Sequence, residues 1–207
     1  MDKTLFIRKH DNHVMLVQVY VDDIIFCSNN NTLCEEFVAA VQREFEMSMM
    51  GELTYFLVVQ VKQLNHGTFL NQSKYCFDLL KKFKMEDYKE STTPIATNCL
   101  MDVDEAGQPV DSTKYRGLIE SLLYLTASRP DIQFGVCLCS RFQTNPKESH
   151  FKATKRILKY LKGTTTVGLW YPCDSNINLS GFSDSDYAGC KLDRKTQVVL
   201  AICLDQV

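Results

Sequence analysis

From Met15 onward the chain alternates: Met15, Val17, Val19 and Val21 interleave with Leu16, Gln18 and Tyr20. That is the two-residue period of a strand. Ile24 to Cys27 reads as the returning strand, which puts Asp22 and Asp23 at or beside the turn. The turn offers no Gly, Asn or Pro, so its residues were not chosen for easy turning. Between Thr32 and Met47 the period lengthens to four, with Leu33, Phe37, Val41 and Phe45 on one side, and predicts an amphipathic helix. Thr54 to Leu64 returns to strand chemistry as a single strand with Tyr55, Leu57, Val59 and Val61 on one face. Asn65-His66-Gly67 is a turn signal, Thr68 to Leu70 a short partner strand, and Ser73 to Phe83 a second helix.

Lys89 to Ser112 carries Ser91-Thr92-Thr93-Pro94, Asp102, Asp104, Gly107 and Pro109 without a periodic face. It predicts a polar linker over 89–112 and a domain boundary within it. Three helical stretches follow, Thr113 to Thr126, Pro130 to Phe142 and Pro146 to Lys162, with Pro130 and Pro146 suited to first helical positions and Gly163 to the stop. Thr164 to Tyr171 and Asn176 to Ser183 read as strands, giving an α+β chain. On the last helix, Lys147, Lys152, Lys155, Arg156, Lys159 and Lys162 face Glu148 alone, while Phe151, Ile157, Leu158 and Leu161 supply an apolar stripe. A helix packed by one side and basic on the other suits nucleic-acid phosphates. It equally suits an ordinary solvated lysine face.

The net charge of −2 means that any nucleic-acid surface has to be local. Nine cysteines are scattered with no Cys-x-x-Cys pair, and read as reduced, mostly buried thiols of an intracellular protein, cytoplasmic or nuclear rather than secreted. No apolar run approaches the roughly 20 residues of a membrane span, and the N-terminus does not resemble a signal peptide.

The chemistry concentrates at Tyr20-Val21-Asp22-Asp23. Adjacent carboxylates among strand-forming residues repel and must be desolvated, a penalty that a divalent cation removes. Hard oxygen donors suit Mg²⁺, which shares its shell between one or two protein carboxylates and substrate phosphates, and so point to two-metal phosphoryl or nucleotidyl transfer. The alternative is a hairpin tip with two solvated aspartates. Gly181-Phe182-Ser183-Asp184-Ser185-Asp186 similarly sets carboxylates at the end of a strand.

The ordered motifs Tyr-Val-Asp-Asp-Ile-Ile-Phe (20–26), Glu-Phe-Glu-Met-Ser-Met-Met-Gly-Glu-Leu (44–53), Lys-Tyr-Cys-Phe-Asp-Leu-Leu-Lys-Lys-Phe (74–83), Ser-Leu-Leu-Tyr-Leu-Thr-Ala-Ser-Arg-Pro-Asp-Ile (121–132), Arg-Ile-Leu-Lys-Tyr-Leu-Lys-Gly-Thr (156–164) and Ser-Asp-Ser-Asp-Tyr-Ala-Gly-Cys (183–190) resemble the Pol polyprotein of copia-type LTR retrotransposons. The resemblance implies the C-terminal part of a reverse transcriptase palm over 1–88, a helical thumb and connection over 113–172, and the truncated, divergent start of an RNase H sheet over 173–207. It makes Asp22 the surer metal ligand with Asp23 in support, Asp184 the first RNase H carboxylate, and Phe56-Leu57-Val58 the strand region that holds the primer end. Lys152, Lys155, Arg156, Lys159 and Lys162 would meet an RNA template with its DNA primer, or an RNA–DNA hybrid, beside other parts of the polyprotein and away from membrane.

Departures from the family pattern matter as much. Only Asp2 and Asp11 precede Asp22, so the third palm carboxylate is missing. Val58 stands where the family usually has glycine, and Glu120 where it has a small residue. The expectation is an RNA-directed DNA polymerase and RNase H fragment, built for Mg²⁺ in its intact parent and inactive alone. The alternative is a non-catalytic nucleic-acid-binding or host-adopted remnant.

Overall fold

Alternation at the start of the chain becomes a three-stranded antiparallel meander in the computed structural model, which describes residues 4–96, 101–173, 177–185 and 198–206, the last two by backbone course and pairing alone. Strands β1 (Leu5–His10), β2 (His13–Tyr20) and β3 (Asp23–Ser28) lie in the order β1-β2-β3. Helix α1 (Asn31–Glu44) follows, its first turn capped by the Asn30 side chain, which accepts from the Thr32 amide at 3.0 Å. It stops short of Met47 because Phe45 is already extended. Phe37 of α1 meets Phe26 of β3 at 5.2 Å between ring centroids. These elements form one compact unit, Met1–Leu53, in which Met15 is buried while Leu5, Phe6 and Ile7 remain exposed.

The second compact unit runs from Thr54 to Val207. The strand expected over Thr54 to Leu64 is two strands, β4 (Tyr55–Phe56) and β5 (Val59–Leu64), folded back on each other so that Phe56 pairs with Val59. Leu57 and Val58 make the turn, both with positive φ, 46° and 66°. This is the left-handed region that a β-branched residue enters at a cost of about 1–2 kcal/mol. β6 (Gly67–Asn71) pairs with β5 on one side and, on the other, with β7 (Gly168–Pro172), completing the antiparallel order β4-β5-β6-β7. The β6–β7 approach requires glycine at both ends. A Cβ on Gly67 would collide with the Tyr171 carbonyl oxygen, and one on Gly168 with that of Leu70.

Helices α2 (Ser73–Lys82), α3 (Ser112–Leu125), α4 (Gln133–Ser140) and α5 (Glu148–Gly163) share one apolar core, with a 3₁₀ turn at Pro130–Ile132 leading into α4. Cys76, Leu79 and Leu80 of α2 lie in that core with Leu118, Leu122, Val136, Ile157 and Leu158. The core therefore draws on residues from both sides of the 89–112 segment, and the chain divides into compact units at Leu53–Thr54. The segment looks like a linker by composition because its anchors are individual hydrogen bonds to α5 and not a periodic apolar face. Lys162 Nζ donates to the Tyr88 carbonyl at 2.9 Å, the Ser91 amide to the Lys159 carbonyl at 3.2 Å, and Arg156 to Thr93 Oγ1 at 3.0 Å. At the other end of α5, the His150 ring accepts from the Lys147 amide through Nδ1 at 3.0 Å and so donates through Nε2 to the Asp102 carbonyl at 2.8 Å.

Pro146 precedes the helix, with Lys147 at its N-cap, whereas Pro130 opens its 3₁₀ turn as expected. Glu120 is exposed, so it costs the packed face of α3 nothing. β8 (Ile177–Ser185) and β9 (Val198–Gln206) pair as a separate antiparallel ribbon, and β9 has no counterpart in the sequence-based expectation.

Candidate nucleic-acid and metal-binding site

The hairpin between β2 and β3 is as tight as a hairpin can be. Tyr20 pairs with Asp23, leaving Val21 and Asp22 as a two-residue turn. Val21 takes φ = 51° and is 81% exposed, a conformation that Gly or Asn would adopt without strain. Asp22 thus sits in the turn and Asp23 opens β3, both exposed. The desolvation penalty expected of carboxylates within a strand does not arise, because the turn carries them out of the apolar run. As a donor set, two adjacent hard-oxygen groups at a solvent-facing tip fit Mg²⁺ that keeps waters and phosphates in its remaining positions. Among the described residues no three His, Cys, Asp or Glu side chains gather as a metal cluster.

Phe56, Leu57 and Val58 form the β4–β5 hairpin in the second unit, and the Tyr124 hydroxyl on α3 donates to the Leu57 carbonyl. The basic residues of α5 are more engaged than a solvated face. Lys152 is exposed. Lys155 lies 4.3 Å over the Phe151 ring and Lys159 5.1 Å over Tyr88, Arg156 and Lys162 hold the 88–93 segment, and Lys147 is buried with its Nζ on the Gly107 carbonyl at 3.1 Å. Asp184 lies in β8 opposite Val199, while Asp2 and Asp186 lie outside the described residues.

A polar network around the buried Arg129, with the exposed Asp131 at its rim, escaped the sequence reading, whose only hint is Arg-Pro-Asp ahead of a helix. Arg129, 1% exposed, grips Asp131 and also donates to the Thr164 carbonyl and hydroxyl, each at 2.7 Å. Tyr160 donates to the same carboxylate at 2.8 Å. Burial works to raise the Asp131 carboxyl, but hydrogen bonds from Arg129 and Tyr160 outweigh it and hold the group below its ordinary value. Burial pushes the nearby Cys76 thiol up to about 11, against the pull of Arg129. Among the described residues the cysteines differ from the mostly buried set expected: Cys76 and Cys139 are buried, Cys34 is half-buried, and Cys27, Cys137 and Cys173 are exposed, these six as free thiols. Among the described residues no helix is long and apolar enough to cross a membrane.

Residues 1–97 match the family model described as reverse transcriptase (RNA-dependent DNA polymerase). Over 192 residues, 93% of its length, the chain is 36% identical to the retrovirus-related Pol polyprotein from transposon RE1 of Arabidopsis thaliana, of which it spans 13%. It is 30% identical over 201 residues, 92% of its length, to the corresponding polyprotein from transposon TNT 1-94 of Nicotiana tabacum, of which it spans 15%. An uncharacterized mitochondrial protein of Arabidopsis thaliana is 35% identical over 182 residues, which make up 88% of this chain and 75% of that protein. No solved structure matches.

Proposed function

Since the chain belongs to the reverse transcriptase family of copia-type retrotransposon Pol polyproteins, we propose that it is a piece of an RNA-directed DNA polymerase in which Asp22 and Asp23 are the metal-holding pair. The observation that carries this reading is the two-residue hairpin presenting both carboxylates at a solvent-facing tip. In the parent enzyme Asp22 would be the principal ligand of Mg²⁺ and Asp23 its support. The ions would supply activation of the attacking oxygen and neutralisation of phosphate charge. Residues 1–88 are then the C-terminal palm, 113–172 the thumb and connection, and 173–207 the opening of RNase H with Asp184 its first carboxylate. Phe56-Leu57-Val58 meets the primer end. Lys152, supported by Lys155, Arg156, Lys159 and Lys162, tracks the backbone of the template–primer or RNA–DNA hybrid, inside the cell.

Alone, this chain lacks a third palm carboxylate and should not polymerise. A second reading, a free-standing non-catalytic or host-adopted nucleic-acid binder, is favoured by the mitochondrial relative, a separate protein three-quarters covered by this chain. Primer extension on an RNA template separates the possibilities. The chain alone should extend nothing. Adding the preceding portion of a related polyprotein should restore extension, and Asp22→Asn should abolish it while hybrid binding persists. Extension by the unaided chain, lost on Asp22→Asn, would sink the inactive-fragment reading. Hybrid binding without extension under any complementation would favour the second.

A further inference from the structure

The Leu57–Val58 turn is held in a backbone conformation that its own side chains resist, with φ at 46° and 66°. Such a conformation persists only where neighbouring structure over-determines it. Two helices supply the constraint. The Tyr124 hydroxyl of α3 donates to the Leu57 carbonyl. The Tyr124 ring is met edge-on by Tyr75 of α2 at 5.4 Å between centroids and 73° between planes. Tyr75 in turn donates to the Ser121 carbonyl of α3 at 3.2 Å, so the donor is itself oriented. Behind the turn, the Gln60 side chain accepts from the Lys74 amide in the first turn of α2 at 3.0 Å. The hairpin is therefore tied at its tip to α3 and at its base to α2.

We propose that Tyr124 is a positioning residue for the nucleic-acid contact made by the Phe56–Val58 turn. By holding the Leu57 carbonyl it keeps the turn left-handed and so fixes where the backbone of the turn meets a primer strand. Tyr124 is 45% exposed, so loss of its hydroxyl alone leaves the core of α3 intact. The inference rests on the primer-end reading of residues 56–58, and its test is arranged so that the two fail separately.

The experiment uses the full chain as wild type, Tyr124→Phe, Val58→Gly and the double variant. Amide hydrogen exchange is followed over residues 56–59, and binding of a fluorescent RNA–DNA hybrid is followed by anisotropy. A lost hydrogen bond of ordinary net strength should speed exchange at the turn about fivefold in Tyr124→Phe, with Leu118 and Leu122 amides unchanged. Hybrid affinity should fall by a similar factor. In the Val58→Gly background, where the turn no longer resists its own geometry, adding Tyr124→Phe should change either quantity by less than about twofold. Unaltered exchange in Tyr124→Phe, or an equal rise in both backgrounds, overturns the positioning role. Exchange that follows the expected pattern with hybrid affinity unmoved upholds Tyr124 as the clamp of the turn and overturns the primer-end reading.

Discussion

Arg129 and Asp131 close on each other through two parallel hydrogen bonds, Nε to Oδ1 at 2.9 Å and Nη2 to Oδ2 at 2.8 Å, with Pro130 between them in the chain. Paired geometry of this kind suits a guanidinium withdrawn from water, because each carboxylate oxygen takes one N–H. Removing the carboxylate leaves the guanidinium buried without its counter-charge. Because the Asp131 side chain keeps 31% of its exposure while Arg129 is buried, Asp131→Asn should lower unfolding stability by about 1–2 kcal/mol, less than for a pair buried on both sides, measured by urea melts near neutral pH.

The same pair sets an acid dependence. Asp131 titrates in the folded chain below its ordinary 3.8, so folding favours the ionised form. Its contribution is complete above that ordinary value and is lost as pH falls from there through the folded value. Melts should show stability declining below about pH 4, with a shallower decline in Asp131→Asn. Equal slopes in both proteins would remove Asp131 as the source.

Val58→Gly should stabilise the second unit by roughly 0.5–1 kcal/mol, since relief of left-handed strain exceeds the added freedom of the unfolded chain. Thermal melts read the sign directly, and a lower melting temperature would mean that the Val58 side chain packs better than its backbone suffers.

Lys152 separates two roles of the basic helix. Charge reversal at Lys152 alone should weaken hybrid binding without affecting the melt. Reversal at Lys152, Lys155 and Lys159 should weaken it further and flatten the dependence of log affinity on log salt by about 0.9 per lost phosphate contact on duplex DNA, somewhat less elsewhere. Lys159 also stacks on Tyr88, so the triple variant should melt earlier too. Binding insensitive to all three reversals would leave α5 as a structural clamp for the 88–93 segment.

Phe6 and Ile7 lie on the exposed edge strand β1, beside a groove of about 410 Å³ shared with Met15, Val17, Phe37 and Ala40. Open apolar edges pair with other chains. Sedimentation should show concentration-dependent association that Phe6→Lys reduces. A monodisperse wild-type chain would contradict this.

With its thiol near 11, Cys76 holds a thiolate fraction on the order of one in ten thousand at neutral pH. Iodoacetamide should label Cys27, Cys137 and Cys173 in the native chain and reach Cys76 only in denaturant, as peptide mapping would report.

The β2–β3 hairpin and helices α2, α3 and α5 were legible because one side of each is more covered than the other, and that covering writes a period into the sequence. The Leu57–Val58 reversal was hidden because Tyr55, Leu57, Val59 and Val61 continue the alternation straight through a turn that lacks turn residues. Glycine at position 58 in the family was its one trace, since what the position needs is a positive φ. Charge on α5 could be counted, but whether Lys159 faces water or Tyr88 depends on a segment some seventy residues away. The anchoring of 89–112 on α5 was hidden for a related reason: composition records apolar periodicity and is silent on an amide donating to Lys159. The place of Asp22 and Asp23 at a turn was legible from the alternation of Met15 to Val21 and the apolar run that follows, and their exposure follows from the two-residue turn itself.

Pairing of Leu70 with Leu169 has a consequence for how the chain comes into being. β4, β5 and β6 can meander as soon as they are made, but the fourth strand arrives only after α2 to α5 have been synthesised. Loop closure over such a distance is slow relative to local structure. While the chain is still being made, β6 waits with an unfilled edge until the helices have packed well enough to deliver residues 168–172 to it. Completion of the sheet thereby becomes a late proofreading step. A chain whose helical core fails to assemble leaves that edge open to capture by proteases and chaperones, so defects deep in the helices are reported at the rim of a sheet they never form part of.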